Sequence, residues 1–110
     1  MVTRKKQEVV IDENKVNQYE LVYIINPGVP EESVETVINS VNQFITGKGG
    51  EIIQVDQWGK RRLAYPIRHL LEGYYVLASF QMNPAWSRDL ETSILISDDI
   101  LRHLLVNKNE

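Results

Sequence analysis

The chain has 110 residues, 43% of them hydrophobic and 25% charged, enough for one domain with a single core. It has no cysteine, which excludes disulfides, thiolate metal sites and thiol catalysis, and its net charge of −3 argues against a protein that binds nucleic acid unaided. No apolar run approaches a membrane span and no apolar segment follows Arg4-Lys5-Lys6, so the expectation is an intracellular protein without membrane association or redox chemistry.

Residues 1–18 are polar and lack sustained periodicity apart from Val9-Val10-Ile11. They read as a flexible N-terminal arm, because such a composition buries too little to offset the entropy of ordering it. The ordered domain is expected over residues 19–108.

Tyr19 to Ile25 is β-branched and aromatic and is stopped by Asn26-Pro27-Gly28, which predicts a central first strand. From Pro30, apolar residues at Val34, Val37, Ile38, Val41, Phe44 and Ile45 keep helical spacing. Glu31, Glu32 and Glu35 favour the positive end of that helix, and Gly47 or Gly49 can end it.

Glu51 to Tyr65 predicts a long second strand with a bulge or bend at Gly59, and Pro66 to Glu72 predicts a loop. Gly73 to Met82 alternates and gives the third strand. Asn83-Pro84 opens a short second helix carrying Ala85, Trp86, Leu90, Ile94 and Leu95 on its apolar side. Ile100 to Val106 makes the fourth strand.

The order is βαββαβ, an α+β chain. With right-handed crossovers it closes as a four-stranded antiparallel sheet in spatial order 4-1-3-2, both helices on one face. The second strand is then an edge. It carries a cationic island: Trp58 to His69 holds four Lys/Arg and no Asp/Glu, +4, so the rest of the −3 chain sums to −7. Charges and a bulge on an edge strand discourage unwanted pairing. Trp58 beside them adds the composition of an interface anchor.

The run Gly59-Lys60-Arg61-Arg62-Leu63-Ala64-Tyr65-Pro66-Ile67-Arg68 resembles the signature of the S-six family of bacterial small-subunit ribosomal proteins. Tyr19-Glu20, Asn26-Pro27 and Gly73-Tyr74-Tyr75 match that family in order and spacing, over roughly Tyr19 to Lys108. The resemblance implies a ferredoxin-like fold and a non-enzymatic, cytoplasmic ribosomal protein without cofactors. It also implies binding to the central domain of small-subunit ribosomal RNA together with a small basic partner, the eighteenth small-subunit protein.

By the same resemblance, Trp58, Lys60, Arg61, Arg62, Tyr65 and Arg68 are expected on the partner side. Tyr19 and Lys108 are expected toward RNA, and because strands 1 and 4 are antiparallel neighbours the arm residues Arg4, Lys5 and Lys6 are expected to cluster with them, with Arg102 or His103 further up. The arm is longer than the family pattern, and the chain ends soon after its fourth strand.

Three rivals share the element order. An RNA-recognition-motif-like binder of single strands would stack bases on Tyr19, Tyr23, Tyr74, Tyr75 or Phe80, but Glu72 precedes Gly73 where that motif wants a basic residue. An acylphosphatase-like enzyme needs backbone amides and an arginine after strand 1. Here Pro27, Pro30, Glu31 and Glu32 occupy that loop, and they withdraw donors and repel an anion. An amino-acid-sensing domain leaves the basic edge unexplained. His69 and His103 have no ligand set in sequence, Asp98-Asp99 reads as a turn, and neither a catalytic constellation nor a small-molecule substrate is expected.

Overall fold

The computed structural model describes residues 15–109. Four strands, β1 (Asn17–Ile25), β2 (Glu51–Ile67), β3 (Leu70–Met82) and β4 (Ile100–Asn107), form one antiparallel sheet in the order β2-β3-β1-β4. Read from the other side this is 4-1-3-2, as the connections require. Helices α1 (Glu31–Gly47) and α2 (Ser87–Leu95) join the strands, α2 entered through the single 3-10 turn Pro84–Trp86.

Alternation sorts the side chains. Tyr19, Leu21, Tyr23 and Ile25 of β1 and Val76, Ala78, Phe80 and Met82 of β3 are buried toward the helices. They meet Val34, Val37, Ile38, Val41 and Ile45 of α1 and Leu90 and Ile94 of α2. The opposite face carries no helix among the described residues.

The α1 N-terminus has no side-chain cap, but Glu31 and Glu32 stand in its first turn, where carboxylates oppose the helix dipole favourably. Asn83 does cap the 3-10 turn, accepting from the Ala85 amide at 2.9 Å. His103 Nε2 lies 2.8 Å from Glu91 Oε1, tying β4 to α2 on the helix side.

Three expectations need correction. The segment Pro66 to Glu72 is not a loop: β2 runs to Ile67, β3 begins at Leu70, and Arg68-His69 alone turn the chain, with φ of 51° and 67°. Pro66 is tolerated because it sits on an edge strand, in the irregular stretch between the Arg62–Glu72 and Ile67–Leu70 pairs. The first strand also starts earlier than the arm boundary at residue 18, since Asn17 and Gln18 pair with Met82 and Gln81. Ala85, in the 3-10 turn before α2, is exposed, and Leu95 of α2 is 72% exposed, because the nine helical residues present only Leu90 and Ile94 to the sheet.

Candidate docking surface

The cationic island lies where the sequence places it, on the free edge of the sheet, and its geometry starts from Gly59. The register of β2 against β3 shifts between Gln57 and Gly59, and Gly59 takes φ of 82°, a conformation that side chains with a Cβ resist. Gly59 pairs across the strands with Tyr75 and offers no side chain to cover it. The indole of Trp58 fills that place, stacked on Tyr75 with centroids 6.2 Å apart, and stays 44% exposed.

Charges then alternate along the strand. Arg61 turns back over Trp58: its guanidinium carbon is 5.8 Å from the indole centre and its Nε donates to the Trp58 carbonyl at 3.1 Å. Lys60 points the other way, with Nζ 5.3 Å from the centre of the Tyr74 ring. Arginine held over an indole keeps its charge at the surface while its planar face packs.

Beyond Arg62 the hairpin curls over the helix-free face. Leu63 is buried there. A cavity of about 220 Å³ lies between Leu63, Tyr65 and Ile67 of β2 and Ile24, Arg102 and Leu104 of the central and far strands. The Arg102 guanidinium carbon stands 5.3 Å from the centre of the Tyr65 ring. Tyr65 and Leu104 are 53% and 62% exposed, so an aromatic and aliphatic surface borders the cations.

Among the described residues Lys108 pairs with Glu20 (3.4 Å), and His103 contacts Glu91 (2.8 Å). Lys60, Arg61, Arg62, Arg68 and Arg102 are exposed and have no carboxylate partner among the described residues. Among the same residues, there is no cluster of His, Asp and Glu fit to hold a metal ion and no helix long and apolar enough to cross a membrane.

The residues expected toward RNA do not gather. Tyr19 is 3% exposed, its ring stacked 5.5 Å from Phe80 inside the core, because it shares the parity of Leu21 and Tyr23. Its ring is thus no surface platform. Lys108 lies beside the start of β1, its amide donating to the Gln18 carbonyl and its Nζ engaged by Glu20. Arg102 sits near the other end of β4, with the hairpin rather than with Lys108. Arg4, Lys5 and Lys6 lie outside the described residues.

Sequence reading missed Leu104 and Val106, which share the outward parity of Val22 and Glu20 through the β1–β4 register. It also missed Tyr75 as the seat of Trp58. The first was readable in principle from strand parity, the second only from the bulge.

Comparison with known proteins gives this geometry a context. The family model described as ribosomal protein S6 matches residues 18–107. The small ribosomal subunit protein bS6 of Moorella thermoacetica is 42% identical over 95 residues, covering 86% of this chain and 97% of that protein. The bS6 protein of Desulforamulus reducens is likewise 42% identical, over 86% of this chain and all of its own length. The crystal structure of 30S ribosomal protein S6 from Thermotoga maritima superposes with a TM-score of 0.82 at 30% identity, covering 86% of this chain and 90% of that one. The chain belongs to the ribosomal protein S6 family, non-catalytic proteins of the small subunit of the bacterial cytoplasmic ribosome.

Proposed function

We propose that this chain binds the central domain of small-subunit ribosomal RNA as one half of a heterodimer with a small basic protein, the eighteenth small-subunit protein. The partner docks against the β2 edge through Trp58, Lys60, Arg61, Arg62, Tyr65 and Arg68. The observation that carries this reading is the convergence of carboxylate-free cations with the exposed Trp58 and Tyr65 at one end of an otherwise acidic domain. Trp, Tyr and Arg are the residue types that dominate interface energetics.

A chain of net charge −3 gains little from releasing phosphate counterions by itself, so its RNA affinity depends on the partner's positive charge. Arg102 and Lys108, with Arg4, Lys5 and Lys6, are the cations left to meet phosphates directly. The burial of Tyr19, Tyr23 and Phe80 and the cover of Trp58 over Tyr75 weigh against the single-strand-binding alternative.

The test is a gel-shift titration of central-domain RNA at physiological salt, with and without the basic partner. This chain alone should leave the RNA unshifted and should join a shifted complex once the partner is present. Arg61→Glu with Arg62→Glu should weaken that assembly without unfolding the domain. Equal binding without the partner, or full partner affinity in the reversed variant, would defeat the reading.

A further inference from the structure

The end of the sheet opposite the hairpin carries a second cationic feature, built by the turn between α1 and β2. Gly49 there takes φ of 83°, and a Cβ on Gly50 would lie 2.7 Å from the Gln81 carbonyl oxygen. The Gly50 amide donates to the Ile45 carbonyl at 2.9 Å. The turn is therefore clamped between the helix end and β3. It fixes the backbone of Lys48, whose own amide donates to the Phe44 and Ile45 carbonyls.

The Lys48 side chain is held as well. Its ammonium stands 4.5 Å from the centre of the Trp86 ring and 5.5 Å from that of Phe44, two half-buried aromatics packed against the core. Trp86 closes the 3-10 turn that Asn83 caps. A lysine kept over two rings has given up much of its rotamer freedom before any ligand arrives. The place also suits a cation, because the helix dipole is negative at the end of α1.

Lys48 borders a groove of about 490 Å³, lined also by Lys15, Glu51, Gln81, Met82 and Trp86. Two lysines against one glutamate leave it at +1, in a chain of −3. Among the described residues neither lysine has a carboxylate partner, whereas Lys108, at the same end of the sheet, is paired with Glu20.

We infer, on the reading that this chain binds ribosomal RNA, that Lys15 and Lys48 form a phosphate-binding groove through which it meets the RNA backbone directly. Phosphate is the group that fits, since Lys48 already covers the Trp86 ring and closes that face to a stacking base. Two lysines on the backbone position a strand without reading its sequence. The groove and the β2 island lie at opposite ends of the sheet, because Met82 pairs with Asn17, and Tyr74 with Ile25 and Lys60. RNA and the basic partner can therefore be held at once.

The test titrates central-domain RNA with the heterodimer of the full-length chain and the basic partner, over a series of salt concentrations. One phosphate contact contributes roughly 0.7–0.9 to the steepness of log affinity against log salt, which is about fivefold in affinity near physiological salt. Lys48→Gln should lower the steepness by that amount and weaken binding about fivefold, and Lys15→Gln should do the same. Both side chains are exposed, so the domain stays folded. Lys48→Arg, which keeps the charge and the ring contacts, should bind like the parent. Parental affinity and slope in either glutamine variant would overturn the inference. Weaker binding at an unchanged slope would overturn it too, since that marks damage to the fold rather than a lost phosphate. A parental heterodimer that leaves the RNA unbound would instead defeat the RNA-binding reading beneath it.

Discussion

Trp58 and Tyr75 lie nearly parallel, their planes inclined by 12°, across a strand pair in which the residue facing Tyr75 is a glycine. The bulge thus converts a weak spot in the edge into an aromatic step, and Arg61 covers its outer side. An indole held this way is already ordered before a partner arrives, so less entropy is lost on binding. Trp58→Ala should lower partner affinity at least tenfold, which corresponds to about 1.4 kcal/mol. Its stability should fall by only about 1 kcal/mol, the order of one aromatic pair at a half-exposed site. Calorimetric titration with the partner and urea melts of the variant separate these two effects; undiminished affinity would remove Trp58 from the interface.

The Arg68-His69 turn holds two non-glycine residues at positive φ, where a two-residue hairpin prefers Asn-Gly. Each such residue costs on the order of 1 kcal/mol or more. The double substitution Arg68→Asn, His69→Gly should raise stability by about 1 kcal/mol in urea melts at unchanged m-value. A matching loss of partner affinity would show that the strained turn is retained for the Arg68 cation. A melt no better than the parent would mean that neighbouring contacts, rather than the turn residues, set this conformation.

The same turn shows where sequence reading stops. Strand β1, helix α1 and the strand order follow from local periodicity and from connection rules, both of which act within a few residues or on the whole topology. Arg-His carries no turn signal, and Pro66 reads as a strand breaker, so the hairpin tip was legible only once the sheet edge was known. Tyr19 shares strand parity with Leu21 and Tyr23, so its place on the core face was legible in principle, although it was expected toward RNA. The meeting of Arg102 with Tyr65 was not legible, because it depends on how far a long hairpin curls across β1.

That curl passes over Ile24 at Gly73. A Cβ on Gly73 would lie 2.3 Å from Cγ2 of Ile24 and 3.3 Å from the Ile25 carbonyl oxygen, so the close approach requires the missing side chain. Gly73→Ala must push β3 away from β1 or force Ile24 off its rotamer. The expected loss is about 1–3 kcal/mol, the range for overpacking a filled site. Removing Cγ2 of the neighbour in Gly73→Ala/Ile24→Ala tests the contact directly: the double variant should lose less than the two single losses added together. A double variant no more stable than the sum of the two single changes would place the strain elsewhere.

Tyr23 carries the least comfortable polar atom in the core. Its hydroxyl oxygen is buried and has no hydrogen-bond partner among the described residues. Burial therefore pushes the phenol well above the ordinary tyrosine range, since the charged form would lose its hydration. The unfolded chain ionises this group near pH 10 while the folded one keeps its proton. Above that pH the unfolded state binds fewer protons, and stability falls with a slope of about 1.4 kcal/mol per pH unit from this group until the folded phenol also titrates. Below pH 10 its contribution is constant. Tyr23→Phe removes the orphaned hydroxyl at nearly constant shape, so it should be neutral or stabilising by about 1 kcal/mol at pH 7. The gap in its favour should widen as pH rises from 10 to 11, when other titrating groups act equally on both proteins. Equilibrium urea melts of the pair at pH 7, 10 and 11 decide it: a constant gap would mean that the hydroxyl reaches water, and a large loss at pH 7 would mean that it has a partner.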